Sequence, residues 1–236
     1  MALPDVVSRE QWLVARLQLL SEEKELTRRR DALNARRRML PMVRVEKEYV
    51  FDGPDGPVTL AGLFGGSTQL VVQHVMFGPD WDRACPSCTQ FTSELTGALV
   101  ERLRSRDTAY AMVCRAPAAR IAAYRAGRGW QVPWYSSYGT DFNYDFQVTL
   151  DQSAGQAHYN YRLESEPAGS GRSCELPGAS CFVRGDDGAI FHTYSAYARG
   201  LDHVDQANAF LDLTAFGRQE AWEKPRGRAP VIHGAF

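Results

Sequence analysis

Phe77-Gly78-Pro79-Asp80-Trp81-Asp82-Arg83-Ala84-Cys85-Pro86-Ser87-Cys88 joins two segments of opposite character. Upstream, Gln69-Leu70-Val71-Val72-Gln73-His74-Val75-Met76-Phe77 is a near-continuous apolar run, the pattern of a strand buried on both faces. Downstream, the residues from Cys85 or Pro86 to about Arg104 predict a helix. A cysteine pair spaced i, i+3 in the first turn of a helix has its two sulfurs within disulfide reach. That turn also carries unpaired N–H groups and a partial positive charge, which favour thiolate over thiol. Pro86 suits the first helical turn, where its missing N–H is not needed. Cys85 is therefore expected to be the exposed nucleophile and Cys88 the resolving thiol.

Working outward, residues 45–51 alternate enough for a strand, and Asp52-Gly53-Pro54-Asp55-Gly56-Pro57 is a dense turn signal. Ala109-Tyr110-Ala111-Met112-Val113-Cys114 reads as a second buried strand, and residues 118–127 as a helix ended by glycine. Residues 132–137 are a short extended segment. Residues 180–184 and 189–194 flank Gly185-Asp186-Asp187-Gly188 as a hairpin. A last helix is expected over 204–211, and residues 152–177 read as a loop. Helices and strands that alternate before a closing hairpin imply an α/β fold with a mixed central sheet and helices on its faces.

The same residues admit other chemistry. C-x-x-C is also half of a zinc site. With Cys114 at a strand end, His74 on the strand before the motif and His192 on the hairpin, Cys85 and Cys88 could bind copper or zinc. Against this, His74 fits a core histidine and Cys114 a small buried hydrophobe. Cys174 and Cys181 flank a turn and could pair. Arg115 stands at a strand's C-terminal end, where α/β sites gather, and could steady the Cys85 thiolate or form an ordinary ion pair. Trp81, Trp134 and Tyr135 belong to an aromatic-rich set that could line a substrate pocket or simply pack the core. No Gly-rich phosphate loop, G-x-S-x-G or H-E-x-x-H occurs.

Composition sets the outer limits. The 236 residues are 44% hydrophobic, enough for a sizeable core. With 27 basic and 28 acidic residues the net charge is −1, which argues against a nucleic-acid or membrane-surface binder. No apolar run is long enough to span a membrane and the N-terminus lacks a secretory pattern, so a cytoplasmic location is expected. Five cysteines are too few, and odd in number, for a disulfide scaffold. Residues 1–41 read as a helical arm. Ser8 and Gln11 form a capping box, Pro41 marks the end, and Trp12, Leu19, Leu26, Leu33 and Leu40 recur at heptad steps. The positions beside that stripe, Ala15, Glu22, Arg29 and Arg36, are too polar for a regular coiled coil. The stripe therefore suits either packing on the chain's own domain or pairing in a homodimer. Residues 42–217 form the α/β domain, and 218–236 a tail expected to be mobile.

This arrangement resembles the thioredoxin fold. Val58, Leu60, Leu63 and Phe64 before the buried strand resemble the opening of peroxiredoxins, and residues 130–137 with Asp141 and Tyr144 resemble a later stretch of that superfamily. More closely, the chain is similar to the bacterial family known as domain of unknown function 899, described as thioredoxin-like. The hallmarks are Leu40-Pro41-Met42-Val43, Met76 to Trp81, Cys85 to Cys88, Asp141 to Phe146, and His192-Thr193-Tyr194-Ser195 with Ala198-Arg199-Gly200. The resemblance implies a thioredoxin-like fold; the Cys85–Cys88 motif itself points to thiol–disulfide exchange with a small-molecule or protein disulfide and a dithiol reductant. Two departures qualify it. Thioredoxins place a proline directly before the strand that faces C-x-x-C. Counting back from Gly188 that place falls near Ala179, with Pro177 two residues earlier. Peroxiredoxins carry P-x-x-x-T/S-x-x-C, whereas Pro79 and Cys85 are six apart with no Ser or Thr between them. A dithiol oxidoreductase is therefore favoured over a peroxidase.

Overall fold

The computed structural model describes residues 3–151, 158–163, 174–220 and 222–224. It divides into two units, one of Met1–Pro41 with Asn208–Ala235 and the other of Met42–Ala207. The first contains α1 (Arg9–Arg37), and the Ser8–Gln11 capping box forms in both directions. The helix stops four residues short of Pro41, leaving Leu40 just beyond it. No residue of α1 is buried.

The second unit holds the sheet. In chain order its elements are β1 (Val43–Arg44), β2 (Val50–Gly53), β3 (Gly56–Thr59), α2 (Leu60–Leu63), β4 (Gln69–His74), α3 (Pro86–Glu94), α4 (Gly97–Arg104), β5 (Thr108–Cys114) and α5 (Ala118–Ala126). There follow β6 (Trp134–Ser136), α6 (Phe142–Asp145), β7 (Thr149–Leu150), β8 (His158–Tyr159), β9 (Arg162–Leu163), β10 (Cys174–Glu175), β11 (Gly178–Arg184), β12 (Ile190–Tyr197) and a 3₁₀ turn (Ala198–Val204); α7 (Gln206–Leu211) comes next, with Asn208 onward in the first unit. Eight strands form one sheet in the order β1-β12-β11-β4-β5-β6-β2-β3. At its centre β4 and β5 are parallel, β11 is antiparallel to β4, and β12 is antiparallel to β11. That four-strand centre, with a helix after its first strand and a hairpin closing it, is the thioredoxin-like α/β arrangement.

Several boundaries move. The strand expected over 45–51 begins only at Val50, after a short pairing at Val43–Arg44. The long helix after the cysteines is two helices, because Thr96 caps a new start by accepting from the Leu99 N–H. The expected last helix is a 3₁₀ turn followed by α7. The expected loop 152–177 holds β8, β9 and β10, while 152–157, 164–173 and the tail beyond Lys224 lie outside the described residues.

Side chains alternate across the sheet. Leu70, Val72, Ala111, Val113 and Phe182 face one core with Phe142 of α6, its C-cap Phe146, and Leu60 and Leu63 of α2. Val75, Met112, Cys114 and Trp134 face the other, with Ile121 of α5 and Cys88 of α3. Helices thus cover both faces. The first face carries a polar chain in an apolar setting: His74 Nε2 to Ser180 Oγ, Ser180 Oγ to Ser195 Oγ, and Ser195 Oγ to His192 Nε2, each 2.8 Å. It ties β4 to β11 and β12. His74 is fully buried beside Phe142 and Phe146.

Burial pushes the His74 imidazole down to about 3, and His192 adds to the fall. The folded chain therefore keeps His74 neutral where the unfolded chain protonates it. Its contribution to stability is complete above about pH 6.5 and is lost as pH falls towards 3. Denaturant unfolding between about pH 6 and pH 4 should show a stability slope steeper by ~1.4 kcal/mol per pH unit than in His74→Leu. Equal slopes in the two proteins would contradict this role.

Candidate functional site

The C-terminal end of β4 delivers the chain to the cysteines. Beyond His74, the Val75 N–H donates to Val113 O (2.9 Å), and the Cys85 N–H returns to Met76 O (2.9 Å). Residues 77–85 thus form a loop closed on the strand end. Gly78 is needed there, because a Cβ would lie 2.8 Å from the Trp81 indole nitrogen. Arg120 of α5 holds the loop through Pro79 O (2.5 Å) and Trp81 O (2.9 Å).

Cys85 is the N-cap of α3 and Pro86 its first residue. The Thr89 N–H donates to Cys85 O (2.9 Å), so the first turn is closed. Both cysteines are free, and the Cys88 thiol is the more deeply buried. The Cys85 thiol is brought down to about 5, first by the hydrogen bond from Cys88. The Ser87 hydroxyl at 3.7 Å and the backbone N–H groups of Cys88 and Ser87 assist, while burial opposes them. Cys88 moves the other way, well above the ordinary thiol value, because it donates to Cys85 and is buried. One sulfur is thus a thiolate at neutral pH and its neighbour a proton donor to it.

Behind this pair the expected residues separate. Cys114 is fully buried beneath Cys88, and burial pushes its thiol up to about 12. Arg115 turns towards Glu175, with Nη1 3.2 Å from Oε1, and lies over the Tyr144 ring at 4.8 Å. Glu175 also accepts from Thr149 Oγ1 (2.8 Å) and Asn143 Nδ2 (3.2 Å). Ser137 Oγ, between Asn143 Oδ1 (2.8 Å) and Cys114 O (3.1 Å), extends the network to the end of β5. Burial raises the Glu175 carboxyl, against the pull of its three partners. Arg115 is therefore engaged by a buried carboxylate, the ion-pair alternative of its sequence reading.

Trp134 and Tyr135 do not share a pocket. Adjacent residues of a strand face opposite ways: Trp134 lies in the core behind Cys88, and Tyr135 packs against the other core. Of the four candidate contact residues, Trp81 alone is built into the cysteine loop. The alternative metal set is not assembled either. His74 and His192 lie in the serine chain on the opposite face from α3. Among the described residues no three His, Cys, Asp or Glu side chains could hold a metal ion.

One residue lies closer to the expected pattern than counting suggested. β11 begins at Gly178, two residues earlier than its hydrophobic pattern indicates, so Pro177 directly precedes it. Gly178 pairs with His74, which sets Pro177 at the sheet edge where β4 leads into the cysteine loop. Tyr159 fixes this edge, donating to Pro177 O (2.9 Å) and accepting from the Ala198 N–H (2.9 Å). Burial pushes the Tyr159 phenol up to about 12, and the nearby sulfurs of Cys88 and Cys174 add to the rise. Tyr159 and Glu175 carry no sequence signal of their own, since strands too short to show a period present them.

The family described as "Bacterial protein of unknown function (DUF899)" matches residues 1–230. No curated protein matches the chain. Among solved structures, a cysteine variant of peroxiredoxin Q from Xanthomonas campestris is 14% identical with a TM-score of 0.43, covering 69% of this chain and 89% of that one. Peroxidoxin BcpB from Mycobacterium tuberculosis is 15% identical with a TM-score of 0.42, covering 71% and 93%. A putative protein disulfide isomerase from Bacteroides thetaiotaomicron is 15% identical with a TM-score of 0.37, covering 71% and 90%. Among the described residues no helix is long and apolar enough to cross a membrane.

The geometry predicts selective labelling. Alkylation of reduced protein should modify Cys85 first, with a rate that follows a midpoint near pH 5. In Cys88→Ala the midpoint should move up towards the ordinary thiol value, and in Ser87→Ala by less. Peptide mass spectrometry across pH reads both. A wild-type midpoint near 9 would overturn the assignment.

Proposed function

This chain belongs to the bacterial family DUF899, and we propose that it is a thiol–disulfide oxidoreductase working through Cys85 and Cys88. The observation that carries the proposal is the placement of two free cysteines in the first turn of α3, Cys85 at the N-cap beside the Ser87 hydroxyl and Cys88 within the turn; the lowered Cys85 and raised Cys88 thiols agree with it. The Cys85 thiolate attacks one sulfur of a substrate disulfide. A Cys85–substrate disulfide forms, and the other substrate sulfur leaves as thiolate. Cys88 then loses its proton and attacks the Cys85 sulfur. The Cys85–Cys88 disulfide forms, and the second substrate sulfur departs with the electron pair of the broken bond. The substrate gains two electrons and the protein loses two. An external dithiol restores the starting state by the reverse sequence.

The electrostatics suit that order. The main cause of the raised Cys88 value is its hydrogen bond to Cys85. Once Cys85 is tied up in the mixed disulfide it no longer carries the negative charge that holds the Cys88 proton. The resolving thiol is therefore released for attack after the first step and is held back before it. The buried Glu175 network and the Tyr159–Pro177 contact fix the surrounding sheet edge. They support the pair without entering the electron balance. Small-molecule and protein disulfides both fit this chemistry.

The test is turnover of a model disulfide with dithiothreitol as reductant. Cys85→Ser should fall below about a hundredth of wild type, having lost the attacking thiolate. Cys88→Ser should accumulate a mixed disulfide on Cys85, visible as one substrate half added to the protein mass. Full turnover by Cys85→Ser would overturn the proposal.

A further inference from the structure

The unused feature with most to say is α1. Its heptad column, Trp12, Leu19, Leu26 and Leu33 with Leu40 just past the end, is 48–68% exposed. Charge flanks the column on both sides, acidic at Glu22 and Glu23 and basic at Arg29 and Arg30 one heptad later. Arg16 is answered within its own helix by Glu23 (2.7 Å), and Glu25 by Arg28 and Arg29 (3.2 and 3.0 Å).

We propose that this face of α1 docks on α1 of a second copy of the chain, antiparallel, with the two-fold axis passing beside Leu26. The column is symmetric about that point: Leu26 meets the partner's Leu26, Leu19 meets the partner's Leu33, and Trp12 meets the partner's Leu40. In an antiparallel pair each flank faces the same flank of the other helix. Glu22 then comes level, within one residue's rise, with the partner's Arg29, and Glu23 with the partner's Arg30. Each pairing occurs twice by symmetry.

Charge disfavours two competing arrangements that the apolar column alone allows. A parallel pair sets Glu22 beside the partner's Glu23, Arg29 beside the partner's Arg30, and Arg36 beside the partner's Arg37, all like charges. An antiparallel pair centred between Glu22 and Glu23 also aligns the apolar column, Trp12 with Leu33 and Leu19 with Leu26. It faces Glu22 and Glu23 with themselves and Arg16 with the partner's Arg30. Centring on Leu26 leaves one like-charged meeting, Arg16 with the partner's Arg37. There Arg16 already has Glu23, and Arg37 donates to Asn34 Oδ1 at 2.7 Å. Single exposed ion pairs are weak, so the flanks choose direction and register while the apolar column supplies the attraction. A strict seven-residue step also drifts about 20° per heptad on a straight helix, which a left-handed crossing of two helices takes up.

The experiment uses the full chain. Sedimentation velocity should show a dimer, and a monomer at every concentration tested would overturn the proposal. Cysteine scanning then reads the register. After mild oxidation, Leu26→Cys should form a covalent dimer beyond the wild-type background on a non-reducing gel. Leu19→Cys and Leu33→Cys should not do so alone but should cross-link when mixed. Self-linking of all three single variants would mean a parallel pair, and cross-linking of Leu19→Cys with Leu26→Cys would mean the other register. Either result would overturn the assignment. Glu22→Arg/Glu23→Arg should dissociate the dimer, and adding Arg29→Glu/Arg30→Glu should restore it, which a misfolded variant would not do.

Discussion

The structure turns on one constraint, that Cys85 and Cys88 share the open first turn of α3. A thiolate needs donors, and the first turn of a helix is one of the few places where a chain offers several that its own backbone does not use. Keeping that turn open requires a helix that begins at the cysteine and a strand that ends just before it. The loop between them must return to the strand end. Cys85 N–H on Met76 O, Arg120 on the loop carbonyls, and Gly78 beneath Trp81 supply those conditions. The parallel pairing of β4 with β5 then brings Cys114 beneath the pair.

Much of this was legible from residue order. The apolar run from Gln69 to Phe77 read as a buried strand, which the structure forms over Gln69–His74, and Cys85-Pro86 read as a helix start, so the placement of the dithiol followed from local chemistry. What escaped was whatever depended on pairing between distant strands. Trp134 and Tyr135 look like two walls of one pocket when read in line, but the pleat turns them to opposite cores. His74 read first as a core histidine, with ligation as the alternative, and it is fully buried. An even number of residues from Leu70 and Val72 puts it on their face, away from α3. Arg115 was placed correctly at the strand end. Its partner Glu175 is sixty residues away on a two-residue strand and left no pattern to find.

The two polar networks show how the protein handles buried polarity. The His74–Ser180–Ser195–His192 chain and the Arg115–Glu175–Asn143–Thr149 cluster each join elements far apart in sequence. Pairing is incomplete in each, since His74 Nδ1 and Arg115 Nε are buried without a partner among the described residues, and a neutral hydrogen bond such as those of the serine chain adds only about 1 kcal/mol net. Their effect is to fix which strands meet, and so where β4, β5 and β11 end around α3.

The central claim is that Cys85 and Cys88 form one reversible two-electron couple. Equilibrating the protein in glutathione buffers of graded ratio, acid-quenching and mapping the linkage by peptide mass spectrometry tests it most directly. The expected result is a single two-electron transition in which a Cys85–Cys88 disulfide appears and disappears with the buffer. A pair that stays reduced across the whole range, or oxidation that links either cysteine elsewhere instead, would contradict it.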